Sequence, residues 1–129
     1  MKRTYTTGEN DHPITLGVKV KTQGVAHTVV YKANAGEKEV AIAHSNPTDD
    51  LGEIKEFVLG KASELKDDYL LIVSTIDLSN LDQTQWDNTT VRYHLNGGAS
   101  GNQAFEEDMD DTKMTPDGKL IVTKPIKLK

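Results

Sequence analysis

The densest group of reactive side chains is Glu106-Glu107-Asp108-Met109-Asp110-Asp111, five carboxylates in six positions. Clustered carboxylates suit calcium, which takes several hard oxygen ligands, yet the run lacks the alternating carboxylate and glycine order of an EF-hand loop. No metal is assigned to it, and it reads as a solvated acidic surface. Just ahead lies Asn96-Gly97-Gly98-Ala99-Ser100-Gly101-Asn102. Glycines of this kind let backbone amides converge on a phosphate, but no lysine followed by Ser or Thr stands in the P-loop position, and the next charges are negative. Gly98-Ala99-Ser100-Gly101-Asn102 also lacks the glycine that closes a nucleophile elbow. A flexible loop is the expected outcome.

His12, His27, His44 and His94 show none of the spacings that put two imidazoles on one metal, so they are expected singly on wet faces. Asp77 at the end of an apolar run is expected as the strand's solvated end, with a functional carboxylate held at a strand terminus as the alternative; for acid and base chemistry that alternative implies a raised pKa, with Glu39 a weaker second. Neither has a partner legible at this level. No catalytic residue, metal ligand or cofactor is assigned.

The elements that would position these groups follow from hydrophobic periodicity. Tyr69 to Ser79 is apolar on both alternating sets: Leu70, Ile72, Ser74, Ile76 and Leu78 on one, Leu71, Val73, Thr75 and Asp77 on the other. That pattern predicts a central strand covered on both faces. Ile14, Leu16, Val18 and Val20 alternate with polar residues, as do Val91, Tyr93 and Leu95, which predicts strands with one wet face. Further strands are expected over 25–33, 38–44 and 119–123, with Pro116-Asp117-Gly118 as a turn and Pro125 placing Ile126 to Leu128 at an edge.

Leu51, Ile54, Phe57, Val58, Ala62 and Leu65 recur at three- and four-residue spacing, and Asp50 with Glu53 resembles a capping box, so a helix is expected over 51–65. Trp86 is expected as a plug over an open end of the core. Residues 97–115 read as a long surface excursion tacked down by Phe105. The expected architecture is mainly β, an antiparallel sandwich with one helix. At that level alone it resembles immunoglobulin-like and transthyretin-like folds. The alternative is α+β, a single antiparallel sheet with the helix on one face. Residues 1–13 are expected as a flexible arm and residues 14–129 as one β-rich domain.

Composition narrows the function classes. The net charge of −5 argues against a chain that lives on nucleic acid. Lys19, Lys21, Lys32, Lys119, Lys124, Lys127 and Lys129 are spaced like solvated strand faces rather than a phosphate-tracking groove. With no cysteine, disulfides and thiolate chemistry are excluded. No apolar run has the length of a membrane span or signal peptide, which leaves a soluble protein of open compartment, periplasmic or secreted if a signal has been removed.

The expected function is a small non-enzymatic protein-binding module. Its contact residues would be Phe105, Glu106, Glu107, Asp108, Asp110 and Asp111, recognising a basic partner. A hydrolase-like enzyme with a pocket between helix and sheet, or a calcium-stabilised extracellular domain, are the alternatives.

Overall fold

A computed structural model describes residues 3–8, 11–34, 37–46, 48, 50–82, 88–99, 101–106 and 112–129. The strands are β1 (Arg3–Tyr5), β2 (Pro13–Lys21), β3 (Val25–Ala33), β4 (Val40–His44), β5 (Ile54–Lys61), β6 (Tyr69–Asp77), β7 (Thr90–Gly98), β8 (Gly101–Glu106), β9 (Thr112–Met114) and β10 (Lys119–Leu128). One helical turn, α1 (Ala62–Leu65), separates β5 from β6. The first sheet has the order β1-β10-β6-β3-β4, with β9 also on β10; the second has the order β5-β2-β7-β8. All pairings are antiparallel except the parallel β1–β10 pair. The protein is thus a β-sandwich with one short helix, and the single-sheet alternative is discarded.

β6 is the spine of the first sheet, in unbroken register with β3 from Val25↔Asp77 to Ala33↔Tyr69 and with β10 from Lys119↔Asp77 to Lys127↔Tyr69. Its inward set, Leu70, Ile72, Ser74 and Ile76, is buried, and Leu78 continues it. The outward set is half-buried rather than covered by a second layer, which corrects the expectation of burial on both faces. In-sheet neighbours do the shielding: Leu71 lies between Tyr31 and Pro125, and Val73 between Val29 and Thr123. Opposite, Ile14, Leu16, Val18, Val20, Val91, Tyr93 and Leu95 complete one core with Val122, Ile126 and Leu128.

The helix expected over 51–65 is instead strand β5 followed by the single turn of α1. Its pairing with β2 contains two register shifts, between Ile14 and Thr15 and between Leu16 and Val18. Each adds a residue to β5 and changes which face the following side chain takes. Ile54 and Leu59 are buried and Phe57 is half-buried, intervals of three and two, while Val58, a member of the expected helical stripe, is exposed. The capping-box reading fails as well: Asp50 adopts φ 56° and begins no helix.

Further corrections concern loops and termini. Gly97 and Gly98 end β7, and Gly101 and Asn102 begin β8, with Gly98 paired to Gly101, so the glycines belong to a hairpin rather than to the start of a long excursion. The segment expected as a flexible arm supplies β1. Pro125 sits inside β10, which continues to Leu128 with neighbours on both sides. On its outer side, β9 pairs with Leu120 to Val122 and β1 with Ile126 to Leu128, so the proline falls in the gap, where a missing amide costs no ladder bond. Trp86 lies outside the described residues.

The lateral side where β8 faces β10 is tied shut. Tyr5 is fully buried; its hydroxyl donates to the Gly101 carbonyl at 2.5 Å and accepts from the Gly98 amide at 3.0 Å. A Cβ at Gly98 would come within 2.7 Å of both the Thr6 carbonyl and the Tyr5 ring, so glycine there is a packing requirement. The Thr7 amide and hydroxyl both donate to the Lys129 carbonyl, and the Thr7 carbonyl accepts from Ala99.

Lys124, expected on a solvated face, occupies an inward position of β10, is fully buried, and donates from Nζ to the Glu106 carbonyl at 2.6 Å. Tyr5→Phe keeps the ring and removes the clasp. It is expected to lower unfolding free energy in a denaturant melt by about 1–3 kcal/mol, the cost of stranding a buried polar group. A change indistinguishable from zero would mean that the clasp does not close this side.

Candidate binding cleft between the sheet edges

The opposite lateral side is built differently. Here the chain leaves β4, an edge of the first sheet, and crosses to β5, an edge of the second. The Thr28 amide donates to Ser45 Oγ at 2.9 Å, and the Ser45 amide returns to the Thr28 carbonyl at 2.8 Å. The Thr28 hydroxyl donates to the Gly52 carbonyl at 2.6 Å and lies 2.8 Å from Ser74 Oγ. Because the Thr28 hydroxyl has a single proton, committed to Gly52, the Ser74 hydroxyl must be the donor in that second bond.

Asp50 and Gly52 take positive φ angles to turn the chain. Gly52 cannot be larger, since a Cβ there would meet the Ala26 Cβ at 2.7 Å. The Ala26 amide donates to the Asp50 carbonyl, and Leu51 bridges Ala26 in parallel.

This crossover leaves a cleft of about 700 Å³ between the edges, with Ile42, Ala43, Leu51, Ile54 and Phe57 as its apolar members. His44, Asn46, Glu53, Lys55 and Glu56 supply its polar lining. Among the described residues the exposed large apolar side chains are Val25, Val40, Leu51, Val58 and Met114; three of these, Val40, Leu51 and Val58, belong to the two edge strands or the segment joining them.

The edges differ in protection. β5 carries register shifts and Lys55, Glu56 and Lys61, the usual defences against pairing with another chain. β4, Val40-Ala41-Ile42-Ala43-His44, has one register shift against β3, where Ile42 is the extra residue, but no lysine, carboxylate or proline, and among the described residues its strand partner is β3 alone.

The residues singled out from sequence do not gather here. Phe105 is 8% exposed, pairs in register with Tyr93 and belongs to the core, so it offers a partner no protruding anchor. Glu106 is exposed and lies 3.6 Å from Arg92. Glu107, Asp108, Asp110 and Asp111 lie outside the described residues. His12, His27, His44 and His94 are all exposed, and among the described residues no three His, Asp or Glu side chains are grouped as metal ligands. His27 Nε2 approaches Asp50 Oδ1 at 3.5 Å, and His44 Nδ1 the Ser45 carbonyl at 2.8 Å.

No family model matches the chain, and no curated protein or solved structure matches it. Among the described residues no helix is long and apolar enough to cross a membrane.

Asp77 stands at the solvated end of β6 as expected, and the raised pKa of the alternative reading is reversed. Asp77 Oδ1 accepts from the Ser79 hydroxyl at 2.6 Å and the Ser79 amide at 3.0 Å, and these bonds hold its carboxyl below the ordinary value of 3.8. Asp68, which sequence reasoning passed over, is 5% exposed, and burial pushes its carboxyl above 3.8. The Lys32 ammonium at 3.8 Å opposes the rise, and the charges of Glu37 and Asp67 add to it.

A folded pKa above the unfolded one means that the stability Asp68 contributes is fully present below pH 3.8 and is lost as pH rises through the folded value. Carboxyl-carbon NMR titration should therefore place Asp68 above 3.8 and Asp77 below it. Lys32→Met should raise the Asp68 midpoint further and Glu37→Gln should lower it. Midpoints in the opposite order would contradict this reading of the two environments.

Proposed function

We propose that this protein is a protein-interaction module that binds an extended segment of a partner chain along β4, with the partner's apolar side chains entering the β4–β5 cleft. The observation that carries the reading is the coincidence of an uncharged, one-sided edge strand with an apolar cleft and the exposed Val40, Leu51 and Val58. An added strand satisfies the outer backbone groups of β4, and every second residue of it can enter the cleft. Burying two aliphatic side chains would contribute roughly 3–6 kcal/mol and a few ladder bonds about 1 kcal/mol each, offset by ordering of the peptide. Affinity on the order of micromolar follows.

Charge selects the flanks. Glu53 and Glu56 outnumber Lys55 in the cleft lining, and the chain carries a net charge of −5, so basic residues flanking the apolar core of the segment are favoured and binding should weaken with salt. A second copy paired β4 to β4 would bury only a five-residue strand, too little for a stable dimer. The enzymatic alternative placed its pocket between a helix and a sheet, and the residues of that helix form β5.

A selection from displayed linear peptides tests the proposal. The expected consensus is an alternating apolar segment with flanking Lys or Arg that protects the Val40–His44 amides from hydrogen exchange. Ala41→Lys, at an exposed edge position, should weaken the selected peptide at least tenfold with the melting temperature unchanged. Peptides that protect β7 and β8 instead, or a selection that enriches nothing, would overturn it.

A further inference from the structure

The outer face of the second sheet carries a separate feature that the cleft does not use. Val18, Val20, Val91 and Tyr93 point into the core, so the alternating residues Lys19, Lys21, Thr90 and Arg92 stand on the solvent side. The register sets Lys19 directly opposite Arg92 and Lys21 opposite Thr90. Facing residues of antiparallel strands have Cα atoms about 4.5–5.5 Å apart, and alternate residues of one strand stand roughly 7 Å apart. Like charges directly opposite one another destabilise a sheet.

Here that cost is incurred at the wall of a concavity of about 400 Å³ lined by Lys19, Lys21, Asn88, Thr90 and Arg92. Arg92 reaches Glu106 at 3.6 Å, but both side chains are more than half exposed and such a pair holds weakly. Lys19 and Lys21 make no ion pair among the described residues.

We infer that this concavity binds a small polyvalent oxyanion of the phosphate or pyrophosphate type. Lys19 and Lys21 would supply point charges and Arg92 its forked N–H donors, with the Thr90 hydroxyl and Asn88 amide completing the shell. The overall charge decides between a compact and an extended anion. A long polyanion meets the field of the whole chain, which is negative, whereas a compact ion seated among three cations lies within about one Debye length of them, roughly 8 Å at physiological salt. Lys19 and Lys21 stand exposed, as expected of a solvated strand face; what their spacing in the sequence did not reveal is the register of Lys19 with Arg92.

Glu106 makes the inference sharply testable, because it competes with the ligand for Arg92. Sodium pyrophosphate and inorganic phosphate are titrated calorimetrically, with sodium chloride at matched ionic strength as control. Saturable binding is expected with pyrophosphate tighter than phosphate, at least tenfold weaker in Lys19→Gln/Lys21→Gln and severalfold tighter in Glu106→Gln. Lys61→Gln, on β5, should leave affinity unchanged. Without ligand, the double variant should melt no lower than the parent, since it relieves repulsion; this shows that it is folded.

Tighter binding of a nucleoside diphosphate than of pyrophosphate would identify a phosphate ester as the ligand, and equal binding the free ion; both sustain the site. Heat that chloride reproduces, affinity indifferent to the double variant, or a heparin fragment that displaces pyrophosphate at lower charge concentration would each overturn it.

Discussion

The hydroxyl of Thr28 holds together the part of the molecule that gives it a usable surface. It is buried on the middle of β3, where an unpaired hydroxyl would cost about 1–3 kcal/mol, and its single proton goes to the Gly52 carbonyl. That bond, with the reciprocal pair between Thr28 and Ser45, pins both ends of the segment that carries the chain from one sheet to the other. Ser74, the polar member of the otherwise aliphatic inward face of β6, is explained by the same knot, since it donates to Thr28. A crossover anchored this way passes over Ala26 at a distance only Gly52 permits, leaving β4 and β5 as neighbouring edges with a cleft between them.

The two lateral sides of the sandwich consequently have different character. Where β8 meets β10, the fully buried Tyr5 and Lys124 bridge the sheets with bonds to backbone carbonyls, and the Thr7 carbonyl accepts across them from the Ala99 amide. Where β4 meets β5, the ties among the described residues run through the crossover, and apolar side chains remain in contact with water. A closed side stabilises the pair of sheets while the other keeps an edge available. Both edges carry register shifts, but β5 adds Lys55, Glu56 and Lys61 where β4 has no lysine or carboxylate, which directs strand addition toward β4.

Most strands were legible because half-buried strands write their environment as a period of two. β2, β3, β6, β7 and the start of β10 all carry that alternation. β5 was not legible as a strand: a register shift stretches the step from Ile54 to Phe57 to three residues, the exposed Val58 stands four before Ala62, and a carboxylate near Leu51 supplied a false helix start. Lys124 was expected in the wrong place and Asp68 was passed over for another reason. Each is a charged residue buried by tertiary packing, and nothing local distinguishes it from a solvated neighbour. The cleft was invisible for the same cause, since Ile42 and Phe57 meet only through the sheet order. Of the contact residues expected instead, the described ones are a core phenylalanine, Phe105, and Glu106 beside Arg92.

Native-state hydrogen exchange at the Thr28–Ser45 knot tests the account most directly, because the open edge exists only if the crossover is fixed. The account predicts that the Ser45 amide exchanges as slowly as those of β6. It further predicts that Thr28→Val, which removes the bonds to Gly52 and Ser74, speeds exchange at Ala26, whose amide is held by the Asp50 carbonyl, while β6 stays protected. A Ser45 amide that exchanges at the rate of an exposed turn in the parent protein would show that the crossover is loose and would contradict the account.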